Sequence, residues 1–494
     1  MFSFARSNRT PMSRVDTAWL RMESPTNLMM ITGVMVLQGR VDFEHLKLIF
    51  DRRLLAYERF LQRPVQVNGN SCWQTDRHFD IESHICRTAL PGRADKSELQ
   101  ALASRLASTR LDPARPMWQV HLVEDYQGDS ALILRMHHCY ADGIAMIQVL
   151  LTLTDTAPDA PLPAARRPRK SSLLEDQGGV LDRLYRPASR RLETLFELGA
   201  GIKDEALRVV RDPERGQAYL RDVQEVLGEL GEALLLPDDP ATRFKGRLGN
   251  RKRVAWCDPI PLDEVKTVAR ALDATVNDVL LASVTGALRS YMLEHGDVID
   301  DIEIRATVPV NLRPLEHAKD LGNHFGLVFL SLPVGCSNPL ERLALIKQRM
   351  LALKASKQAV MTFGALAALG LAPSPVQRKA LDLLSKKATA VMTNVPGPQL
   401  PLYLAGRRIL EQMFWVPQTG SVGMGVSILS YDGRVQFGLI TDLRLVPDPN
   451  RVIARFAGEF EKFVLATLME PWDRPYQPAE VERSLQLMLR RSGL

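Results

Sequence analysis

The side chains best suited to chemistry lie close together in the segment LRMHHCYADG, residues 134–143. His137 and His138 are the only adjacent pair among the nine histidines of the chain. They follow a β-rich run, Ala131–Met136, and precede a run with helical pattern, Gly143–Leu153, so they fall where a strand ends and a helix begins. Successive side chains of a strand point to opposite faces. We therefore expect one histidine to be catalytic and the other structural.

A histidine in this position suits base catalysis of acyl transfer to an alcohol. An alcohol is a poor nucleophile at neutral pH, so a base within hydrogen-bond reach has to remove its proton as it attacks a carbonyl carbon. Imidazole, with an ordinary pKa of about 6.5, is matched to that task. Direct attack on a thioester needs no covalent acyl-enzyme, and Cys139 is therefore not predicted to be a nucleophile.

Three other interpretations of the segment compete with this one. The histidines could serve packing and hydrogen bonding alone, as most buried polar groups do. His137, His138, Cys139 and Asp142 are all metal-ligand types, but their spacing matches neither H-E-x-x-H nor a structural zinc pattern. His137 and Asp142 also fit H-x-x-x-x-D, the signature of glycerolipid acyltransferases with a different fold. Those enzymes carry an F-P-E-G-type element as well, and no Pro-Glu-Gly occurs in this chain.

The elements that would position these residues form two α/β blocks. We predict domains at 1–155 and 251–494, joined by a connector at 156–250 that is Pro/Arg-rich and then helical. The predicted strands are Met29–Leu37, Trp118–Val123, Ala131–Met136, Val254–Cys257, Ile302–Leu312, Phe325–Val334 and the hairpin Val426–Ser430 with Arg434–Leu439. The predicted helices are Asp42–Phe60, Gly143–Leu153 with Asp142 as N-cap, a helix opened by Pro261, Val276–Leu293 and Arg451–Met469.

Composition excludes several classes of protein. Five scattered cysteines without a C-x-x-C pair argue against a disulfide scaffold and favour a reducing compartment. No apolar run reaches the roughly 20 residues that span a bilayer, and no secretory signal is recognisable. No G-x-S-x-G, P-loop or dinucleotide-binding motif opens a βα unit. Aromatic residues make up only 6%, and they are not interleaved with basic ones, so nucleic acid is not an expected partner. The net charge of +6 suits an anionic partner.

The segment at 137–143 matches H-H-x-x-x-D-G, the signature of chloramphenicol-acetyltransferase-like, coenzyme-A-dependent acyltransferases. Within that superfamily the chain resembles the bacterial wax ester synthase/diacylglycerol acyltransferases. Further elements resemble that family in order along the chain: SRVDTAWL at 13–20 with ESPT at 23–26, Pro116-Met117-Trp118 with methionine in place of leucine, Thr275–Val279, Val308–Arg313 and Thr393–Pro398.

The resemblance implies an α/β (α+β) fold of two chloramphenicol-acetyltransferase-like domains, each a mixed β-sheet with flanking helices, and an active site at their interface. It implies that His138 is the general base, that His137 supports it, and that Asp142 and Gly143 are structural. Asp142 is expected to hold the loop through an arginine. The residues expected to bind substrate or support the site are Pro116, Trp118, Asn277, Asp278, Thr393 and Asn394. Asn277 and a donor near Thr393 and Asn394 are candidates for stabilising the oxyanion.

The resemblance also implies the reaction. A long-chain acyl group would pass from fatty acyl-CoA to a long-chain alcohol or diacylglycerol, giving wax esters or triacylglycerol, with no metal and no cofactor. Because these acceptors are insoluble in water, we expect a cytoplasmic protein attached peripherally to the inner membrane or to lipid inclusions. Two alternatives stay open: esterification of another alcohol, such as a polyketide diol or a sugar, and a non-catalytic lipid-droplet-binding protein.

Overall fold

The computed structural model describes residues 9–67, 69–162, 236–312, 325–356, 358–359, 362–363 and 374–469. Most of the predicted connector at 156–250 lies outside these residues, so its conformation and the domain limits stay predictions.

The strands are β1 (Arg9–Pro11), β2 (Met30–Leu37), β3 (Gln62–Val67), β4 (Asn70–Thr75), β5 (Ile85–Thr88), β6 (Trp118–Tyr126), β7 (Asp129–His137), β8 (Lys252–Trp256), β9 (Ile260–Pro261), β10 (Ile304–Asn311), β11 (Phe325–Leu332), β12 (Ala390–Pro396), β13 (Tyr403–Leu404), β14 (Arg407–Trp415), β15 (Met424–Tyr431) and β16 (Arg434–Asp442). The α-helices are α1 (Arg14–Met22), α2 (Phe43–Ile49), α3 (Lys96–Ala107), α4 (Gly143–Leu153), α5 (Leu262–Ala271), α6 (Val276–Glu294), α7 (Pro339–Ala355), α8 (Ser374–Ser385) and α9 (Pro449–Met469).

The first sheet has the order β13-β14-β2-β7-β6-β5. It is mixed, because β5 and β6 run parallel while its other neighbours are antiparallel. The hairpin between β6 and β7 turns at Gln127 and Gly128, which have φ of 55° and 88°. Positive φ at two successive positions suits the right-handed twist of a tight hairpin. The returning strand β7 then pairs with β2 on its other side and ends at His137.

The second sheet has the order β11-β10-β12-β15-β16-β8, with β9 pairing with β16. Here β10, β12 and β15 are parallel, and the outer pairs are antiparallel. Helix α6 is almost completely buried, and α7 and α9 pack beside it. Arg342 of α7 and Glu459 of α9 form a buried ion pair of 2.7 Å beside α6. A smaller third sheet has the order β1-β4-β3.

The two halves of the chain interlock. Strand β14 comes from the second half but pairs with β2 of the first sheet, from Ile409↔Leu37 to Trp415↔Thr32. In the opposite direction, α3 packs against β8, and the hydroxyl of Ser104 accepts a hydrogen bond from the Val254 amide. The interface between the sheets is therefore built by both halves.

Most of the predicted elements are confirmed within about two residues, and two differ in their geometry. The predicted helix Asp42–Phe60 ends as an α-helix at Ile49 and continues as a π-helical turn at Phe50–Leu54. This wider turn keeps both Phe50 and Leu54 in the core, which is where their helical spacing in the sequence placed them. Pro261 is the N-cap of α5 rather than its first residue, because it pairs with Arg434 at the end of β9.

No single described helix is long and apolar enough to cross a membrane. Helices α5 and α6 reach that length and composition only when taken together, and the chain bends by 98° between them.

Candidate active site

The end of β7 is held by backbone hydrogen bonds from both sides. The His137 amide donates to the Met117 carbonyl at 3.0 Å, and the His138 amide donates to the Met29 carbonyl at 2.7 Å. The Tyr140 amide then donates to the His137 carbonyl at 3.1 Å, which turns the chain away from the strand. Both imidazoles therefore stand on backbone that is fixed before any substrate arrives.

The predicted Pro116-Met117-Trp118 element packs against this turn and is hydrogen-bonded to Tyr140. The Met117 amide donates to the Tyr140 hydroxyl at 2.9 Å, and that hydroxyl donates to the Gln62 carbonyl at 2.5 Å. Burial raises the pKa of Tyr140 well above its ordinary value, so the phenol stays protonated and keeps donating. The Trp118 indole donates to the Phe60 carbonyl at 2.9 Å, and Pro116 is buried beside it.

Protein groups lie at both ring nitrogens of His137, the Cys139 amide at Nδ1 and the Glu23 carboxylate at Nε2. Its Nδ1 accepts a hydrogen bond from the Cys139 amide at 3.2 Å, which places the proton of the neutral imidazole on Nε2. That Nε2 lies 3.3 Å from Glu23 Oε2, and the other Glu23 oxygen contacts Arg110 Nε at 2.5 Å. Burial alone would raise the pKa of Glu23, but His137 and Arg110 outweigh it, and the pKa is lowered. The carboxylate is thus charged and orients His137.

The ring of His138 contacts aromatic side chains. Its ring stacks on Trp19 of α1, with the ring centroids 4.2 Å apart and the ring planes at 23°. The ring of Phe325 in β11 is tilted against it, with the centroids 5.8 Å apart. Trp19 and Phe325 also contact each other, at 5.7 Å. Because Phe325 comes from the second half of the chain, His138 stands at the junction of the two halves, in a cluster of three rings.

Cys139 and Asp142, which follow the two histidines in the motif, are buried in the protein. Cys139 is fully buried, and desolvation raises the pKa of its thiol well above the ordinary value. Such a thiol is not a ready nucleophile. Asp142 is 3% exposed, and its carbonyl accepts from the Met146 amide at the first turn of α4, which Gly143 begins. That Asp142 holds the loop through an arginine stays a prediction.

The predicted site residues of the second half lie at the start of α6 and on β12. Thr275 and Asp278 form a capping box at the start of α6: the Asp278 carboxylate accepts from the Thr275 amide at 2.9 Å. Asn394 Nδ2 donates to Asn277 Oδ1 at 2.7 Å, which ties β12 to α6. The Thr393 hydroxyl lies 3.4 Å from the Ser427 hydroxyl on β15. The hydrogen bonds of these side chains run among α6, β12 and β15, and their roles in the site stay predictions.

A buried ionic network ties the site to the second sheet. Lys252 Nζ donates to Asn27 Oδ1 at 2.9 Å and to Asp442 Oδ2 at 3.1 Å, and both charged side chains are buried. Burial lowers the pKa of Lys252, and Asp442 opposes that effect. Asn27 in turn donates to the Gly420 carbonyl at 2.9 Å. Asn27 lies two residues before Met29, whose carbonyl accepts from the His138 amide, so the network and His138 share one short stretch of backbone.

Sequence reasoning assigned no role to Trp19, Glu23 or Phe325, although Glu23 contacts His137 and the other two contact His138. Trp19 and Glu23 belong to the opening stretch that resembles the family, which was a usable signal. Phe325 gave no such signal, because only the pairing of the two sheets brings the start of β11 to His138. Within the described parts of the chain, no three His, Cys, Asp or Glu side chains are grouped as a metal ion would require.

Comparisons with known proteins agree along nearly the whole chain. The family profile for the wax ester synthase/diacylglycerol acyltransferase catalytic domain matches residues 12–280, and that for the WS/DGAT C-terminal domain matches residues 321–463. A probable diacylglycerol O-acyltransferase of Mycobacterium tuberculosis is 28% identical over 407 residues, covering 80% of this chain and 81% of the relative.

Solved structures show the same fold. The wax ester synthase/diacylglycerol acyltransferase from Marinobacter aquaeolei VT8 superposes with a TM-score of 0.65 at 22% identity, covering 93% of this chain and all of that one. The trichothecene 15-O-acetyltransferase from Fusarium sporotrichioides superposes with a TM-score of 0.58 at 10% identity, covering 92% and 95% of the two chains. The predicted chloramphenicol-acetyltransferase-like fold is confirmed, and the H-x-x-x-x-D interpretation, which requires another fold, is wrong.

Proposed function

The chain belongs to the wax ester synthase/diacylglycerol acyltransferase family and is an acyltransferase, and from this we propose its substrates and its base. We propose that it moves a long-chain acyl group from fatty acyl-CoA to a long-chain alcohol or to diacylglycerol, giving wax esters or triacylglycerol. The relatives named as diacylglycerol O-acyltransferases support this choice of acceptor. A thioester is already activated for acyl transfer, so the proposal includes no cofactor.

We propose that His138 is the general base. The alcohol donates its hydroxyl proton to the imidazole while its oxygen attacks the thioester carbonyl carbon. The C–O bond forms, the C–S bond breaks, and the proton passes from the imidazolium to the CoA thiolate as it leaves. One observation carries this assignment: both ring nitrogens of His137 face protein groups, and the ring of His138 lies against Trp19 and Phe325 where the halves meet.

The test is CoA release from palmitoyl-CoA, measured with hexadecanol and separately with diacylglycerol. We expect His138→Ala to lower turnover by about 10²- to 10⁴-fold while the protein stays folded, as for the loss of a general base. His137→Ala is the matched control, and it should lose thermal stability along with part of its activity. Turnover that survives in His138→Ala but disappears in His137→Ala would move the base to His137.

The acceptor is tested with a panel of alcohols that also contains a polyketide diol and a sugar. Highest kcat/KM with hexadecanol or diacylglycerol supports the proposal, and a clear preference for the diol or sugar contradicts it. We also propose a cytoplasmic protein that attaches peripherally to the inner membrane or to lipid inclusions, because these acceptors are insoluble. Recovery of the protein in the membrane or inclusion fraction, and its release by a salt wash, would support that location.

A further inference from the structure

A buried hydrogen-bond donor beside His138 has no acceptor among the described residues. Nε1 of Trp19 is shielded from solvent, and no described group accepts its hydrogen. The whole side chain is only 5% exposed. A buried indole N–H normally finds a partner, because leaving it without one is unfavourable. Such a donor next to a reactive group suggests that the missing acceptor belongs to a substrate.

The stacking of the two rings keeps this donor beside the imidazole of His138. The planes of Trp19 and His138 differ by 23°, so the indole N–H runs nearly parallel to the imidazole and one ring thickness away from it. An alcohol bound to the edge of the imidazole has its oxygen about 3 Å from the carbonyl carbon that it attacks. The indole N–H can donate to the carbonyl oxygen of that thioester when the acyl group lies on the side of the two rings toward which Nε1 points.

Helix α1 is anchored at both ends, so the donor does not have to be ordered by the substrate. The Ser13 hydroxyl caps the helix by accepting from the Asp16 amide at 3.0 Å. At the other end, Glu23 contacts His137 at 3.3 Å. Between these points Trp19 packs against Phe325. Preorganised donors of this kind stabilise developing charge more effectively than water does.

We propose that the indole N–H of Trp19 donates a hydrogen bond to the carbonyl oxygen of the acyl thioester and stabilises the oxyanion formed when the alcohol attacks. The N–H is not transferred. Its hydrogen bond to the oxygen strengthens as the C–O bond forms and negative charge develops. The hydrogen bond weakens again when the C–S bond breaks and the neutral carbonyl group forms again. The inference rests on the proposed function and assigns Trp19 as a further catalytic residue of that site.

The sharpest test replaces Trp19 with benzothienylalanine, which keeps the shape of the bicyclic ring but has sulfur in place of the N–H. Trp19→Phe is the simpler companion. With palmitoyl-CoA and hexadecanol, we expect both to lower kcat by about 10²-fold, the usual effect of losing one oxyanion donor. KM should change little, because the bond strengthens only in the transition state.

Trp415→Phe is the matched control. The Nε1 of Trp415 is also buried without an acceptor among the described residues, but its ring packs in a different part of the core, against Trp256. This variant should keep wild-type kcat, and thermal melting should show all three variants folded. Full kcat with benzothienylalanine at position 19, or a loss that falls on KM alone, would overturn the assignment to Trp19. Absence of acyl transfer in wild-type protein would overturn the proposed function and the inference together.

Discussion

Nε2 of His137 lies 3.3 Å from Oε2 of Glu23, so the first histidine of the pair is tied to the end of helix α1. The same helix carries Trp19, which stacks on His138. One short helix therefore orients both histidines, one through a carboxylate and the other through an aromatic face. This arrangement makes Glu23 a positioning residue for His137.

Glu23→Gln should remove a pH-dependent part of the stability. The pKa of Glu23 is lowered in the folded protein from its ordinary 4.5, because His137 and Arg110 outweigh the effect of burial. A lowered carboxyl pKa stabilises the fold above the unfolded value, and that contribution is lost as pH falls through 4.5 and then through the folded pKa. Thermal melting from pH 7 down to pH 3.5 should show a smaller decline for Glu23→Gln than for wild type. Equal declines would show that Glu23 does not contribute.

Cys139→Ala should leave catalysis nearly unchanged. The thiol is fully buried and its pKa is raised, so it is neither ionised nor accessible as a nucleophile. We expect kcat to stay within about threefold of wild type, since the thiolate is the reactive form of cysteine. The lost packing should cost about 1 kcal/mol of unfolding free energy. A kinetically competent acyl group on Cys139, detected by mass spectrometry, would contradict direct attack.

Lys252→Met should destabilise the protein strongly, because it leaves the Asp442 carboxylate buried without its cation. We expect a loss of about 3–5 kcal/mol in the free energy of unfolding by urea, the usual effect of breaking a buried ion pair. Asp442→Asn and the double variant complete the cycle. The two single losses should exceed the loss in the double variant by at least about 0.5 kcal/mol, since residues in contact do not act additively. Additive losses would mean that the pair is not coupled.

Gly326→Ala should disturb the wall beside His138. A Cβ on Gly326 would overlap the backbone carbonyl of Ala359, which cannot move as a flexible side chain can. We expect lower thermal stability and reduced turnover, because Phe325 precedes this glycine and contacts His138. Gly458→Ala in α9 is the matched control: nothing lies within 4 Å of its added Cβ, and it should raise stability by about 0.5–1 kcal/mol. A harmless Gly326→Ala would argue against this packing.

Local patterns predicted most of the elements that carry the site. Alternating apolar residues and turn signals located β6, β7, β15 and β16, and helical spacing located α4, α6 and α9. Strand β14 was not predicted, and its residues show why. Strand β14 reads RRILEQMFW and mixes charged with apolar residues, because one part of it lies at the surface and the rest faces a core. Local pattern is weakest for such strands, and only their pairing partners identify them.

The sequence by itself determined the family, the motif and the expectation that two adjacent histidines would have different roles, since side-chain alternation at a strand end is a local property of the backbone. The tertiary structure decided which groups face each histidine. Glu23 and Trp19 are more than 110 residues away in the chain, and Phe325 follows almost 190 residues later. The insertion of β14 beside β2 and the packing of α3 on β8 join the two halves, so contacts between distant residues bring Trp19 and Phe325 to His138.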